Sequence, residues 1–374
     1  MRVTEMKILH VFKEYHPVVG GIQNHIRVLS GELAKDNDFD VEVLVTNTGS
    51  KTVTEYTDGV KVVKAARVAK IASTPISFSL FRFLRKARPD ILHLHFPYPL
   101  GELASLLFGC CDRIVLTYHS DIVRQNRWLL LYMPILKQVL GKVRIIVASN
   151  PNNVRSSALL SKYADKTEII PYGIDVQRFE RANERKVQEI RSRCNGPIVL
   201  FVGRLCYYKG IKYLLEASRE IDAKFLLIGD GPHKLKLMNL VRGNKLAKKI
   251  VWLGEVSEDD LVCYYHAADL LVLPSIYRSE AFGLVLLEGM ACGLPLITTE
   301  LGTGTSFVNC HNRTGLVVPP SDSVALQQAI SYLLNNEDVR LRFSQNARER
   351  VRRVFSKAQM VESIRKLYFR VLNS

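Results

Sequence analysis

A chain of 374 residues exceeds what one hydrophobic core usually organises, and two domains are expected. At 47% apolar and 24% charged, the composition excludes a disordered or fibrous protein. The net charge of +16 raises the question of an anionic partner.

The opening segment MRVTEMKILHVF has no long apolar stretch followed by a small-residue cleavage site, so a secretory leader is not expected. The longest uninterrupted apolar run, Trp128 to Leu136, is too short to span a bilayer. Seven cysteines, an odd number without C-x-x-C spacing, argue against a disulfide framework or a zinc site. The cytoplasm is the expected compartment. The basic excess is concentrated in two blocks: residues 61–144 carry 14 basic and 4 acidic side chains, and residues 339–374 carry 10 and 2.

Short β-branched runs alternate with helical patterns from the start. Strands are predicted at Met6–Phe12, Val41–Thr46, Val60–Ala66, Asp90–His95, Arg113–His119 and Val143–Ser149. Several are apolar on successive residues, as strands covered on both faces of a parallel sheet must be. After the first strand, Gly20 and Gly21 let the backbone approach a ligand, and the helix predicted from Gln23 can receive a phosphate at its start; taken alone, such glycines are more often a plain turn.

His93, His95 and His119 fall at predicted strand ends. No carboxylate or cysteine accompanies them at ligand spacing, which favours structural histidines over a metal site. Among them, His119 is expected to face the ligand, hydrogen-bonding a sugar hydroxyl or acting as a base. The segment 121–142 interleaves Arg124, Arg127, Lys137 and Lys142 with Trp128, Leu129, Tyr132, Met133 and Leu136. It suits a helix lying in an anionic bilayer interface, or one packed on its own sheet; the surrounding basic excess favours the membrane. No nucleic-acid-binding motif is present, so nucleic acid is not the expected partner.

Ile169–Asp175, with its Pro and Gly, reads as the link between domains. Beyond it the plan repeats, with strands predicted at Pro197–Gly203, Lys224–Gly229, Lys249–Gly254, Leu270–Ser275, Leu294–Thr299 and Thr314–Val318. Arg204 and Lys209, flanked by Gly203 and Gly210, can clamp a diphosphate, unless they are simply surface cations of a loop. Val256, just past a strand end, can border a nucleobase.

The densest segment is Pro274–Ile297. It reads as a strand end, a loop carrying Glu280, an apolar helix carrying Glu288, and a stop at Gly293 before Pro295. If all eight residues were helical, the two carboxylates would stand roughly 12 Å apart. A carboxylate on so apolar a helix needs a donor, such as a ligand hydroxyl. The helix start at Phe282, Gly283 and Leu284 offers N–H groups to an anion. Taken alone, an E-x7-E pair also fits a helix cap plus a salt bridge to a distant lysine. No G-x-G-x-x-G is present, and Asp36, Asp38 and Asp40 lie in a polar connection, so neither a dinucleotide cofactor nor a divalent metal is expected.

Taken together, Pro274-Ser275, Glu280-Ala281-Phe282-Gly283, Glu288-Gly289-Met290-Ala291-Cys292-Gly293 and Pro295 resemble the donor-site signature of the family 4 retaining glycosyltransferases. The resemblance covers nearly the whole chain. It implies the GT-B architecture: two Rossmann-like, doubly wound parallel-sheet domains facing a central cleft. Residues 1–171 would bind the acceptor, residues 172–354 the nucleotide sugar, and the C-terminal helix 355–374 would cross back to the first domain.

By the same resemblance, Arg204 and Lys209 stabilise the leaving diphosphate, and Glu280 contacts the donor sugar with the backbone of Phe282 and Gly283. Glu288 binds the ribose, His119 lies near the sugar, and Gly20 and Gly21 lie beside the phosphates. One departure stands out. Where many members carry an acidic residue after a Gly-Gly loop, this chain reads GTGTSFVN, with Val308 and Asn309. That variant and the opening MKILHVFKEYHPVVGGI resemble bacterial O-antigen mannosyltransferases.

The expected activity is therefore a retaining, metal-independent hexosyl transfer, best matched to mannose from GDP-mannose. The acceptor would be a lipid-linked glycan at the inner face of the plasma membrane, with residues 61–144 and the basic tail on anionic lipid. The alternatives are a sugar-nucleotide epimerase, another GT-B enzyme such as a phosphorylase or one using a UDP-sugar, or a non-catalytic carbohydrate- or membrane-binding protein.

Overall fold

The computed structural model describes residues 5–18, 20–71, 74–108, 110–122, 126–242 and 245–373, with the side chains of 126–131 and 245 outside that description. The chain divides into two compact units, Met1–Tyr172 with Ala358–Ser374, and Gly173–Lys357.

In the first unit ten strands follow one another: β1 (Met6–Val11), β2 (Phe39–Thr46), β3 (Val53–Thr57), β4 (Val60–Ala65), β5 (Ala69–Ile71), β6 (Thr74–Ile76), β7 (Ile91–Phe96), β8 (Ile114–Tyr118), β9 (Ile145–Ala148) and β10 (Thr167–Ile169). Eight form one sheet in the order β10-β9-β8-β7-β1-β2-β4-β3. All neighbours are parallel except β3, which returns antiparallel along β4. Four helices matter below: α1 (Gly21–Leu33), α2 (Phe78–Lys86), α3 (Pro99–Phe108) and α4 (Asn126–Lys142).

The apolar runs become fully buried strands, as β7 and β8 show along their whole lengths. Helices cover the sheet because parallel strands need crossovers. The C-terminal helix Lys357–Leu372 is part of this packing: Met360, Ile364, Leu367, Tyr368 and Val371 join the first unit's core.

The second unit holds β11 (Ile198–Val202), β12 (Lys224–Ile228), β13 (Ile250–Gly254), β14 (Leu270–Leu273), β15 (Leu296–Thr299) and β16 (Gly315–Val318), all parallel, in the order β13-β12-β11-β14-β15-β16. Strand order reverses at β11, so the loops after β11 and β14 diverge around a crevice where such sheets bind ligands.

Every predicted strand has a counterpart, while β3, the β5–β6 hairpin and β10 were not anticipated. For β3 a signal existed. Asp58 and Gly59, both at positive φ, make the tight turn into β4, and Asp-Gly between alternating runs marks a hairpin. The basic pattern at the C-terminus is two helices, Glu337–Val354 and Lys357–Leu372, broken where Phe355 leaves helical geometry. Of the membrane-type helix, Arg124 lies outside the described residues, and only the backbone of Arg127, Trp128 and Leu129 is described. The described half of α4 packs inward, with Tyr132, Leu136, Val139 and Leu140 in the core. For those residues the packed-helix reading is the correct one.

Candidate active site

The crevice of the second unit is built from two neighbouring loops. After β11 the chain turns through Gly203 (φ 148°) and Arg204 to a short helical turn, Tyr207–Lys209, ending at Gly210. Gly210 has φ 65°, and a Cβ there would stand 1.9 Å from the carbonyl oxygen of Pro274, beyond the end of β14. Only glycine permits that approach. The two loops are then stitched together by the Ile276 N–H donating to Tyr208 O at 2.8 Å.

This contact brings Lys209 and Glu280 together. Lys209 Nζ lies 2.6 Å from Glu280 Oε2, with both side chains only 9% exposed. Ser275 Oγ donates to the same oxygen at 3.0 Å. Both of these contacts are made to Oε2, and among the described residues Glu280 Oε1 holds no hydrogen-bond partner. Gly203 makes room for the ammonium, since a Cβ there would meet Lys209 Nζ at 3.3 Å. Arg204 is exposed and has no carboxylate partner among the described residues. The charges of Lys209, Glu280 and Arg204 all act on Cys206, whose thiol is raised chiefly by burial.

The segment behind Glu280 is braced by the loop after β15. Thr303 Oγ1 donates to Glu280 O at 2.8 Å, and the Gly304 N–H donates to Ala281 O at 2.8 Å. Phe282 is buried against Phe355, ring centroids 6.0 Å apart. Gly283, at φ 80°, caps the helix Leu284–Cys292 and directs its free N–H groups. The helix starts at Leu284, so Glu280 sits on a loop and Glu288 on the helix, as the sequence reads, and the all-helical spacing does not apply.

Glu288 has a donor that was not anticipated. Tyr265, buried in the helix Glu258–Ala267, donates to Glu288 Oε2 at 2.7 Å. Burial raises the Glu288 carboxyl to about 7, although Tyr265 and the charge of Arg178 pull it down. The salt-bridge alternative holds for Glu280, whose lysine is Lys209 itself. Val256 stands half-buried between β13 and the Ser257 cap of the next helix.

Asn309, at the departure from the family pattern, is fully buried. Its Nδ2 donates to Thr298 Oγ1 and Leu316 O at 3.0 and 2.9 Å, and its Oδ1 accepts from Thr314 at 3.0 Å. An amide fits because the Leu316 carbonyl on β16 requires a donor that a carboxylate lacks.

In the first unit, Gly20 adopts extended backbone as the cap of α1, and Gly21 begins the helix. They follow β1, at the strand where that sheet reverses order. His119 is 1% exposed, its Nδ1 bonded to Tyr172 OH at 2.5 Å and its Nε2 to His95 Nδ1 at 3.0 Å.

It closes a row of imidazoles across β1, β7 and β8. His95 Nε2 reaches His10 Nδ1 at 3.0 Å, and His93 bonds Thr117 and Tyr368. The alternation of His93 and His95 and the His10–His93 register put these rings on one sheet face. Both nitrogens of His119 are therefore engaged, one by Tyr172 and one by His95. Ligand atoms of His10, His93 and His95 lie within 4.8 Å of one another. Five of their six nitrogens already hold hydrogen-bond partners, and only His10 Nε2 has none, which does not fit a metal ligand set.

Two parallel sheets, each with a reversal at its first strand, and a basic–acidic pair in the second crevice define a sugar-transferring enzyme of the GT-B type. Residues 19–178 match the model of Glycosyltransferase Family 4, and residues 182–350 that of Glycosyl transferases group 1. The chain is 36% identical to O-antigen chain mannosyltransferase C of Escherichia coli, covering 99% of this chain and 100% of that one. It is also 36% identical to the D-rhamnosyltransferase WbpZ of Pseudomonas aeruginosa, over 94% and 92% of the two chains. The solved sucrose-phosphate synthase of Thermosynechococcus elongatus superposes with a TM-score of 0.82 at 24% identity, covering 99% and 100%.

The chain belongs to the family 4, group 1 glycosyltransferases. It is a glycosyltransferase, and the epimerase and non-catalytic readings are set aside.

Proposed function

We propose that this enzyme transfers mannose from GDP-mannose, with retention and without a metal, to a hydroxyl of a lipid-linked glycan during cell-surface polysaccharide assembly. The observation that carries the reading is the buried Lys209–Glu280 pair at the point of strand reversal, with Arg204 exposed on the same loop. Cations placed there meet the charge that develops on a departing diphosphate. The bond from sugar C1 to the phosphate oxygen breaks, and the phosphate keeps the electron pair. The acceptor oxygen bonds to C1 from the same face, and its proton passes to a phosphate oxygen.

Lys209 holds Glu280 in place, so that its second oxygen can accept from a sugar hydroxyl. Glu288 receives the ribose hydroxyls beside Tyr265. The helix start at Phe282, Gly283 and Leu284 faces the donor's negative charge, and Val256 borders the base. The relatives named for mannose and D-rhamnose transfer support a manno-configured donor, because D-rhamnose is 6-deoxymannose. The relative named for the O-antigen chain also supports a place in O-antigen-type synthesis.

Thermal melts with GDP-mannose, GDP-D-rhamnose, UDP-glucose and free nucleotides test the donor, since a ligand that binds the native state raises apparent stability. GDP-mannose should give the largest shift. A larger shift with UDP-glucose would overturn the donor assignment, and a β-linked product by NMR would overturn retention.

A further inference from the structure

We propose that the outward face of α2, with the β5–β6 hairpin leading into it, is the surface on which this enzyme docks to an anionic lipid bilayer. The proposal deepens the reading above, in which the acceptor is carried on a lipid.

Ser77 follows β6 and caps α2, its Oγ accepting from the Leu80 N–H at 3.1 Å. Leu80 and Leu84 are buried beneath the helix, and Phe81 packs edge-on against Phe108 of α3, centroids 5.8 Å apart. The opposite side is unusual. At about 100° per residue, Arg85, Phe78, Arg82, Lys86 and Phe83 fall on one arc roughly 160° wide. All five are exposed, Phe78 at 68% and Phe83 at 37%.

From Phe78 to Arg88 there is no carboxylate, and no ion pair neutralises Arg82, Arg85 or Lys86 among the described residues. The adjoining hairpin adds Val68 at 64% and Ile71 at 50% exposure. Its three-residue strands pair only with each other.

Large apolar side chains left in water mark a contact surface. Interleaved with unpaired cations on a short helix, they match a bilayer interface: rings enter at the acyl boundary, and guanidinium and ammonium groups meet head-group phosphates. A second copy of this chain would set like charge against like charge. This surface is α2, within the basic block 61–144; much of the α4 segment that composition singled out lies outside the described residues.

The test is flotation of the full chain with vesicles of phosphatidylcholine alone or mixed with phosphatidylglycerol. Wild type should bind the mixed vesicles, less at higher salt, and leave pure phosphatidylcholine unbound. Arg82→Gln and Arg85→Gln should each weaken partitioning about fivefold. Phe78→Ser should weaken it roughly tenfold at unchanged charge. Wild type that stays off both vesicles overturns the proposal. So does binding unchanged in Phe78→Ser/Phe83→Ser, which would indicate a contact by charge alone. The nucleotide melts described above, run on the same variants, should match wild type. A docking failure with intact nucleotide shifts would leave the glycosyl-transfer reading standing.

Discussion

The ammonium of Lys209 and the carboxylate of Glu280, separated by 71 positions in sequence, meet at 2.6 Å in a setting where each side chain is 9% exposed. Removing one partner of such a pair strands the other, at a cost of about 3–5 kcal/mol. Lys209→Met and Glu280→Leu should each lower the melting temperature markedly, and the double variant less than the two summed. All three should lose transfer. Additive losses in a double-mutant cycle would show that the two charges are not coupled.

Arg204 offers the converse case. Its side chain is exposed and has no carboxylate partner among the described residues, so stability should not depend on it. Arg204→Ala should reduce turnover about 10²- to 10³-fold, the range for losing one stabilising donor. The melting temperature should stay within error of wild type. Retained turnover would remove Arg204 from the machinery.

Glu288, raised to about 7, gives nucleotide binding a pH dependence. The deprotonated carboxylate is the form that accepts from ribose hydroxyls, so affinity should rise as pH climbs through about 7 and level off above it. For folding the sign is opposite. The protonated form is the one favoured by burial, and its stabilising share, present below the unfolded value near 4.5, is lost as pH rises through about 7. Glu288→Gln should flatten both profiles. An isothermal titration series across that range would show it, and a pH-independent affinity in wild type would sink the assignment.

The imidazole row predicts acid sensitivity of the first unit. Burial holds His10, and His25 of α1 whose ring lies 5.5 Å from that of His119, to about 3, and His93, His95 and His119 well below 6.5. Unfolded histidines take up protons near 6.5 while the folded ones remain neutral, so stability falls as pH drops below that value. Five such groups give a limiting slope of about 7 kcal/mol per pH unit. Melts between neutral pH and mild acid should decline steeply, and His119→Gln should make the decline shallower. The same slope in that variant would exclude the row as its source.

Asn309→Asp should destabilise the second unit. It deletes the bond donated to the Leu316 carbonyl and buries a charge, at a cost of about 2–4 kcal/mol. Denaturant melts of the variant and wild type measure the difference, and equal stability would mean that the carboxyl finds other donors.

Local chemistry determined a good deal by itself. Continuous apolar runs such as Ile198–Val202 could only be strands buried on both faces. Gly293 and Pro295 marked the end of the helix that carries Glu288, and the motif around Glu280 pointed to the family. Those features depend on neighbours along the chain and survive translation into three dimensions. What only tertiary structure decided depends on groups distant in sequence: that Gly210 admits Pro274 and so joins Lys209 to Glu280, that Tyr265 supplies the donor for Glu288, and that His119 spends both nitrogens on Tyr172 and His95. The physical reason is that strand order, not spacing along the chain, sets which loops touch, and a polar side chain's role is settled by whichever partner shares its buried space.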